Sequence, residues 1–157
     1  MKKIFVFSDS HGSTADMLRL VREGAPDMVL HLGDYERDCD ELRRAFPGLE
    51  IRGVRGNCDV RSAGPSLVRF TVEGVRVFVC HGHEYRVKSG YQTICYAALE
   101  AEADLVLFGH THIPYRDRAF GLELLNPGSV GMGRSRTWGL VTLDAGEITT
   151  EIVTISN

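Results

Sequence analysis

The 157-residue chain is close to the usual length of a single domain, and we expect residues 1–157 to form one domain. Hydrophobic residues make up 43% of the chain and charged residues 25%, which argues against a disordered, collagen-like or coiled-coil protein. The 18 basic and 21 acidic side chains give a net charge of −3, so the protein has no general attraction for nucleic acids or other polyanions.

The chain shows no pattern typical of export or membrane insertion. The apolar run near the amino terminus covers only residues 4–7, far fewer than the apolar region of a signal peptide needs. No other stretch approaches the roughly 20 apolar residues of a transmembrane helix. The four cysteines contain no C-x-x-C pair. We therefore expect a cytoplasmic protein with reduced thiols and no membrane partner.

Hydrophobic periodicity predicts alternating strands and helices in the first third of the chain. Ser13 precedes the first helical pattern and is the expected N-cap residue, while Gly24 is expected to end that helix. The predicted order is strand, helix, strand, helix, strand, at residues 3–7, 14–23, 27–32, 38–46 and 49–54.

Strands dominate the rest of the chain. Glu73-Gly74 is a hairpin-turn pair, and Ser89 and Gln92 have the spacing of a capping box before a helix that ends near residue 102. Further strands are predicted at residues 67–72, 75–80, 104–108, 123–125, 138–143 and 148–155. We favour an α/β fold of two packed sheets with helices on the outer faces; a single mixed sheet would give similar patterning.

Polar side chains follow five of the predicted strands directly. In open α/β sheets, loops beyond the carboxyl ends of strands converge on one crevice, so these side chains are expected to meet in space. Aspartate, histidine and asparagine without thiolate suit a divalent metal, and the set exceeds what one ion needs, which favours two ions. The residues in these loops are Asp9, His11, Asp34, Asn57, Asp59, His81, His83, His110 and His112.

Each fragment alone has an ordinary structural explanation. An Asp-x-His sequence is more often a turn or a helix cap, and Asn57 could support a turn through its side chain. His81 and His83 could be polar groups satisfied at a strand end. What favours a site is that five of six histidines fall in these loops. The exception, His31, lies inside a predicted strand and is expected to be hydrogen-bonded and partly buried.

Five blocks occur in order along the chain: Asp9-x-His11, Gly33-Asp34, Gly56-Asn57-x-Asp59, His81 and Gly109-His110-x-His112. This order resembles the calcineurin-like metallophosphoesterase family and, in size and spacing, its small prokaryotic YfcE-type phosphodiesterase branch. The segment 126–129 (Asn-Pro-Gly-Ser) also looks like one that this branch carries. The resemblance covers residues 4 to about 130 and implies a four-layer α/β/β/α sandwich of two mixed sheets.

The resemblance also implies a ligand set. It assigns Asp9, His11 and His112 to one ion and Asn57, His81 and His110 to the other, with Asp34 bridging the two. Cys58 departs from many relatives, which carry at that position a histidine thought to protonate the leaving group. Manganese is our first choice for both ions, although nickel, iron, cobalt and zinc also accept oxygen and nitrogen ligands.

The implied activity is hydrolysis of a small phosphodiester by a hydroxide that bridges two divalent ions. With no histidine at position 58, His83 is our first choice as proton donor; Asp59 and Cys58 are the other candidate catalytic residues. Asn57 and Arg61 are candidate substrate contacts. For Arg61 the reason is that guanidinium groups recognise phosphate well.

Two other functions remain open at this stage. A non-catalytic, metal-binding scaffold of the retromer-subunit type has a similar small fold, but every predicted ligand position here holds a competent ligand. A nuclease would be expected to have a basic groove or an added domain, so no extended nucleic acid partner is expected. Phosphomonoesters rank behind small phosphodiesters as substrates, and a homodimer is left open.

Overall fold

A computed structural model describes residues 1–156 of the chain, in which the secondary structure forms ten strands and three α-helices. The strands are β1 Lys2–Phe7, β2 Met28–His31, β3 Glu50–Gly53, β4 Leu67–Val72, β5 Val75–Cys80, β6 Leu105–Leu107, β7 Tyr115–Ala119, β8 Leu122–Asn126, β9 Thr137–Asp144 and β10 Glu147–Thr154. The helices are α1 Ala15–Gly24, α2 Cys39–Ala45 and α3 Gln92–Glu100. Within the described residues, no helix is long and apolar enough to cross a membrane.

The strands form two mixed sheets of five strands each, in the orders β10-β9-β1-β2-β3 and β4-β5-β6-β8-β7. In the first sheet β1, β2 and β3 are parallel, and β9 runs antiparallel to β1. In the second sheet β5, β6 and β8 are parallel. The predicted α/β fold of two sheets is confirmed, and the alternative of one mixed sheet is wrong.

Alternation along each central strand produces the layers. In β1, Ile4 and Val6 are buried in the apolar core between the two sheets, while Phe5 and Phe7 pack on the other face with Met17 of α1. On the far side of the second sheet, Phe78 and Val106 belong to a third cluster, which also holds residues of α3. The result is the expected α/β/β/α sandwich.

Three two-residue turns close the hairpins. Glu73 and Gly74, which join β4 to β5, have φ values of 51° and 76°. Two consecutive positive φ values give the backbone twist that a tight hairpin between right-twisted strands requires. The turn predicted at Glu73-Gly74 is confirmed. Ala145 and Gly146 repeat the pattern between β9 and β10.

Two predicted helix starts and one missed strand need correction. Ser13 is not the N-cap of α1: Thr14 holds that position, and its hydroxyl donates to Glu41 at 2.8 Å instead of capping. Ser89 ends a short 3-10 segment, Val87–Ser89, so α3 starts at Gln92 without a capping box. Strand β7 was missed because its three central residues are exposed and polar, which hides the period-two pattern.

Candidate metal centre

The loops after the parallel strands meet at one edge of the two sheets. The Asp9 amide donates to the Gly33 carbonyl at 3.0 Å, which joins the loops after β1 and β2. His81, at the end of β5, donates from Nδ1 to the Leu32 carbonyl at 2.7 Å, and this bond crosses from the second sheet to the first. The strand ends therefore converge, as the sequence predicted.

One cluster consists of four groups whose ligand atoms all lie within 4.8 Å of one another: Asp9, His11, Asp34 and His112. His112 Nε2 lies 3.2 Å from Asp9 Oδ1, and His11 Nε2 lies 3.9 Å from Asp34 Oδ2. Asp9 Oδ1 and His11 Nε2 are buried without a hydrogen-bond partner. Because unpartnered buried polar atoms are costly, these two atoms fit a site that a divalent cation completes.

The charge state of Asp9 points the same way. Its carboxyl is fully buried, and burial raises its pKa although His81, Ser8 and His112 act to lower it. A cation at Oδ1 would supply the charge that keeps the carboxylate ionised. The other oxygen, Oδ2, is already occupied by the Ser8 hydroxyl at 2.6 Å.

A second cluster surrounds His81, whose side chain is completely buried. Because Nδ1 donates to a carbonyl, Nε2 carries the lone pair of the neutral ring. This Nε2 lies 3.0 Å from Asn57 Oδ1 and 3.2 Å from His110 Nδ1. Three atoms that carry lone pairs thus face one another. Their mutual repulsion is relieved when a cation or a proton binds between them.

The pKa of His81 also indicates that positive charge is favoured at Nε2. Burial lowers its pKa, but the contact with Asp34 and the negative charge of Asp9 outweigh burial, so that the pKa of His81 is raised. A proton can therefore occupy the position that suits a metal ion, and the two compete for it.

Asp34 lies between the two clusters. Its Oδ2 faces His11, while its Oδ1 lies 3.4 Å from His81 Nε2 and accepts the Cys58 amide at 3.0 Å. Burial acts to raise the pKa of this carboxyl, but the hydrogen bonds from His81 and Cys58 outweigh burial. The net effect lowers the pKa, so Asp34 stays ionised. Each oxygen of one carboxylate thus faces a different group of ligands.

Five of these ligand candidates have left-handed backbone conformations, which are unfavourable for residues other than glycine. Such strain persists only where the surrounding structure enforces it, and it is concentrated at functional sites. The φ values are 56° for Asp9, 47° for His11, 59° for Asp34, 71° for His110 and 61° for His112.

Asp59 holds a loop together. Its Oδ1 accepts the Tyr35 amide at 2.7 Å, and its Oδ2 accepts the amides of Asp34 at 2.9 Å and Gly56 at 2.8 Å. The Glu36 amide adds a fourth contact at 3.3 Å. These bonds occupy both oxygens of Asp59 and fix the backbone of Asp34.

Cys58 and His83 lie next to the clusters. The Cys58 side chain is largely exposed, and its pKa is raised by its slight desolvation and by the charge of Asp34, so the thiol stays protonated near neutral pH. The ring of His83 is centred 5.4 Å from that of His81 and 6.1 Å from that of His110. Its Nδ1 is buried without a partner, and burial and the charge of His81 lower its pKa.

A buried polar network behind the clusters was not predicted in full. The Gly33 amide donates to His31 Nδ1 at 3.1 Å, His31 Nε2 lies 2.8 Å from the Ser10 hydroxyl, and Ser10 donates to Asp38 Oδ2 at 2.6 Å. Asp38 also accepts the Gly12 amide at 2.8 Å. His31 is hydrogen-bonded as expected, and it is fully rather than partly buried.

Asn126, the last residue of β8, and Ser129, which follows that strand, support the ligand loops. The side-chain Nδ2 of Asn126 donates to the Gly109 carbonyl at 3.1 Å, and the Ser129 hydroxyl donates to the Asp9 carbonyl at 2.8 Å. The sequence marked the segment 126–129 only through its resemblance to a family, because nothing in its local pattern shows which loops it contacts.

A pocket of about 310 Å³ adjoins the centre. Tyr35, which follows Asp34, and Cys58, which follows Asn57, form part of its wall. Arg61 also lies in this wall and is exposed. The pocket wall therefore includes residues that are next in the chain to candidate ligands of both clusters.

The sequence of the chain is similar to those of known proteins. The calcineurin-like phosphoesterase superfamily domain matches residues 1–147. The probable metallophosphoesterase YsnB of Bacillus subtilis is 31% identical over 147 residues, which cover 90% of this chain and 84% of that protein. Phosphodiesterase YfcE of Escherichia coli K12 is 27% identical over 174 residues, covering 92% of this chain and 89% of that protein.

Solved structures give the same result. The crystal structure of a predicted phosphoesterase from Streptococcus pneumoniae superimposes with a TM-score of 0.83 and 30% identity, covering 98% of this chain and 89% of that one. Zinc-bound Vps29 from Entamoeba histolytica superimposes with a TM-score of 0.78 over 97% of this chain and 98% of that one, at 18% identity. The Vps29 similarity shows the fold alone.

The fold and the clustered carboxylates and imidazoles thus define a metal-dependent phosphoester hydrolase. The chain belongs to the calcineurin-like phosphoesterase superfamily, as its resemblance indicated.

Proposed function

We propose that the protein is a dinuclear, metal-dependent phosphodiesterase that hydrolyses small phosphodiesters, with residues 1–157 as one catalytic domain. The observation that carries this proposal is the position of Asp34, whose two oxygens face His11 and His81 respectively. The relationship to a protein named phosphodiesterase YfcE supports the choice of a diester substrate.

In this proposal the ligand set has two halves that share one carboxylate. Asp9, His11 and His112 hold one ion, Asn57, His81 and His110 hold the other, and Asp34 lies between them. When bound, two divalent ions supply a water nucleophile at neutral pH and offset negative charge on the phosphate.

The remaining side chains orient the ligands and the substrate. Leu32 fixes the tautomer of His81 through its carbonyl, and Asp59 fixes the Asp34 backbone. Asn57 and Arg61 are the proposed substrate contacts. His83 is the proposed proton donor, because its partnerless Nδ1 lies beside the second cluster. Asp59 fits a positioning role better than an acid–base role, since its oxygens already accept four amides.

The test is the initial rate on bis(p-nitrophenyl) phosphate after metal has been stripped and Mn²⁺ added back. We expect turnover that depends on Mn²⁺, and a loss of at least about 100-fold in Asp34→Asn, since the amide supplies neither the bridging charge nor a second anionic oxygen. Asp144→Asn is the matched control, because this exposed carboxylate lies at the hairpin between β9 and β10, at the end of β9 that is far from the ligand loops.

Two results would reject the proposal. One is turnover that is independent of divalent ions. The other is an absence of turnover with Mn²⁺, Ni²⁺, Fe²⁺, Co²⁺ or Zn²⁺ although calorimetry shows that the metal is bound. The preference for manganese, a cytoplasmic location and a homodimer are further proposals, and the same assay run with each ion tests the first of them.

A metal-binding scaffold is the second candidate function. It stays a candidate because nearly the whole of this chain superimposes on Vps29, a similarity of fold alone. Against it stands the family match together with the set of candidate ligands, five of which have strained, left-handed backbone conformations. Metal binding without catalysis in the assay above would make the scaffold the leading function.

A further inference from the structure

The pocket beside the centre is placed to receive part of the substrate. The Tyr35 ring, which forms part of the pocket wall, is centred 5.0 Å from the ring of His11, so the wall contacts the first cluster on this side. On the other side, the Cys58 amide is bonded to Asp34, and its side chain forms pocket wall. A phosphate held at the centre would therefore direct one of its two ester arms along these residues.

The carboxylates in the pocket wall are already engaged. Both oxygens of Asp59 accept backbone amides. Asp40 and Glu36 share one cation, since the two ends of the Arg43 guanidinium lie 3.0 Å from Asp40 and 3.3 Å from Glu36. The oxygens of all three therefore already have hydrogen-bond donors, although the amides leave the charge of Asp59 in place and Arg43 balances only one of the other two charges.

The two arginines of the pocket wall, Arg37 and Arg61, are not paired with carboxylates of residues 1–156. Arg37 stacks its guanidinium over the Tyr35 ring at 4.8 Å, a contact that holds the group in place without neutralising it. Arg61 is exposed at the rim. Among the described residues neither arginine forms an ion pair with a carboxylate. The pocket thus presents two guanidinium groups whose N–H donors have no carboxylate partner in the described part of the chain, while the carboxylate oxygens of the wall already have donors.

We propose that this pocket binds an ester arm that carries an anionic group, held by Arg37 and Arg61. The proposal rests on the phosphodiesterase function proposed above and narrows its substrate class to diesters with a second negative charge. Guanidinium groups suit this role because they are always charged and bind oxyanions through two parallel hydrogen bonds.

The test uses three p-nitrophenyl phosphodiesters with a common leaving group and a different second arm: ethyl, 2-carboxyethyl and 2-(trimethylammonio)ethyl. Since the reacting bond is the same, differences in kcat/KM report on the arm. We expect the carboxyethyl ester to be preferred over the cationic ester by about tenfold, the sum of two exposed charge contacts. This preference should shrink as salt is raised, because exposed charges are screened.

Variants locate the effect. Arg37→Gln and Arg61→Gln should each reduce the ratio of kcat/KM for the carboxyethyl and ethyl esters, and the double variant should bring the ratio close to one. Arg44→Gln is the matched control, since Arg44 is an exposed arginine of α2 outside the pocket wall. Equal preference for the cationic and anionic arms, or equal slowing of all three esters, would overturn the proposal.

A binding measurement separates this proposal from the proposed function. The side-chain Nε–H signals of Arg37 and Arg61 are followed by NMR while methyl 2-carboxyethyl phosphate or its trimethylammonioethyl counterpart is added to the metal-loaded protein. Shifts with the anionic ester alone would support the pocket even if no ester is hydrolysed, in which case only the proposed function fails. No shift with the anionic ester would overturn the pocket proposal whatever the activity.

Discussion

At the centre, some side chains have hydrogen-bond partners for all of their polar atoms and others do not. Both nitrogens of His81 are engaged, one by the Leu32 carbonyl and one by Asn57 and His110. The oxygens of Asp59 are filled by amides. His83, by contrast, keeps a buried Nδ1 without a partner next to the second cluster. A free ring nitrogen of this kind can move a proton without first breaking a bond.

His83→Gln tests that role, since glutamine can donate a hydrogen bond but cannot transfer a proton at neutral pH. We expect the variant to lose about 10- to 100-fold in kcat on an alkyl diester with a poor leaving group, the low end of what general acids contribute. Its rate on a p-nitrophenyl ester should change much less, because p-nitrophenolate leaves without a proton. Equal slowing of both substrates would show that His83 acts on metal or substrate binding instead.

At the scale of elements, the loops after β2 and β3 are packed against each other through a glycine. A Cβ placed on Gly56 would lie 2.6 Å from the Asp34 amide nitrogen and would also meet Asp34 Oδ1. Both are too close for a carbon atom, and the backbone there has little freedom because Asp59 bonds both amides. The small residue therefore permits the approach of the two loops that brings Asn57 beside His81.

Gly56→Ala should accordingly displace Asp34 and weaken Mn²⁺ binding by at least about tenfold, which corresponds to about 1.4 kcal/mol. Isothermal titration calorimetry measures this change directly. The matched control is Gly48→Ala, because a Cβ there meets no atom within 4 Å. If both variants bind Mn²⁺ as the wild type does, the close packing at Gly56 does not position Asp34.

At the scale of the whole molecule, the ligand loops depend on a buried polar network at the edge of the first sheet where these loops begin. His31 links the Gly33 backbone to Ser10, and Ser10 links to Asp38. Burial lowers the pKa of His31 to about 4, although the charge of Asp38 acts to raise it. The folded protein therefore holds His31 neutral, with Nδ1 as the acceptor from Gly33.

This pKa links stability to pH. Between pH 6.5 and about 4 the unfolded chain binds a proton at His31 and the folded chain does not, so the free energy of unfolding falls as the pH falls. The stability contributed by neutral His31 is complete above pH 6.5 and decreases by up to about 3 kcal/mol by pH 4. Urea unfolding of the metal-free protein across this range should show that His31→Gln, although less stable at pH 7, loses this part of the pH dependence. Parallel curves for the two proteins would contradict the assignment.

Much of the architecture could be predicted because it follows from local pattern. Strands such as β4 and β5 were located to the residue, since each alternates or runs apolar between clear turn signals. The boundaries of the other predicted strands differ by one residue at one or both ends, and β7 was missed because the three central residues of this edge strand are exposed and polar. Capping was misjudged at Ser13 and Ser89 because the partner of a hydroxyl is chosen by neighbouring elements, as Glu41 is for Thr14.

The sequence by itself determined the class of fold, the family and the loops that hold the candidate ligands, because periodicity and motif order are properties of the chain alone. Tertiary structure alone decided which atoms face one another. The two oxygens of Asp34 face different clusters, both oxygens of Asp59 accept backbone amides, and Arg37 and Arg61 of the pocket wall have no carboxylate partner among the described residues. These features depend on distances between residues far apart in the chain, and such distances exist only after the two sheets have packed together.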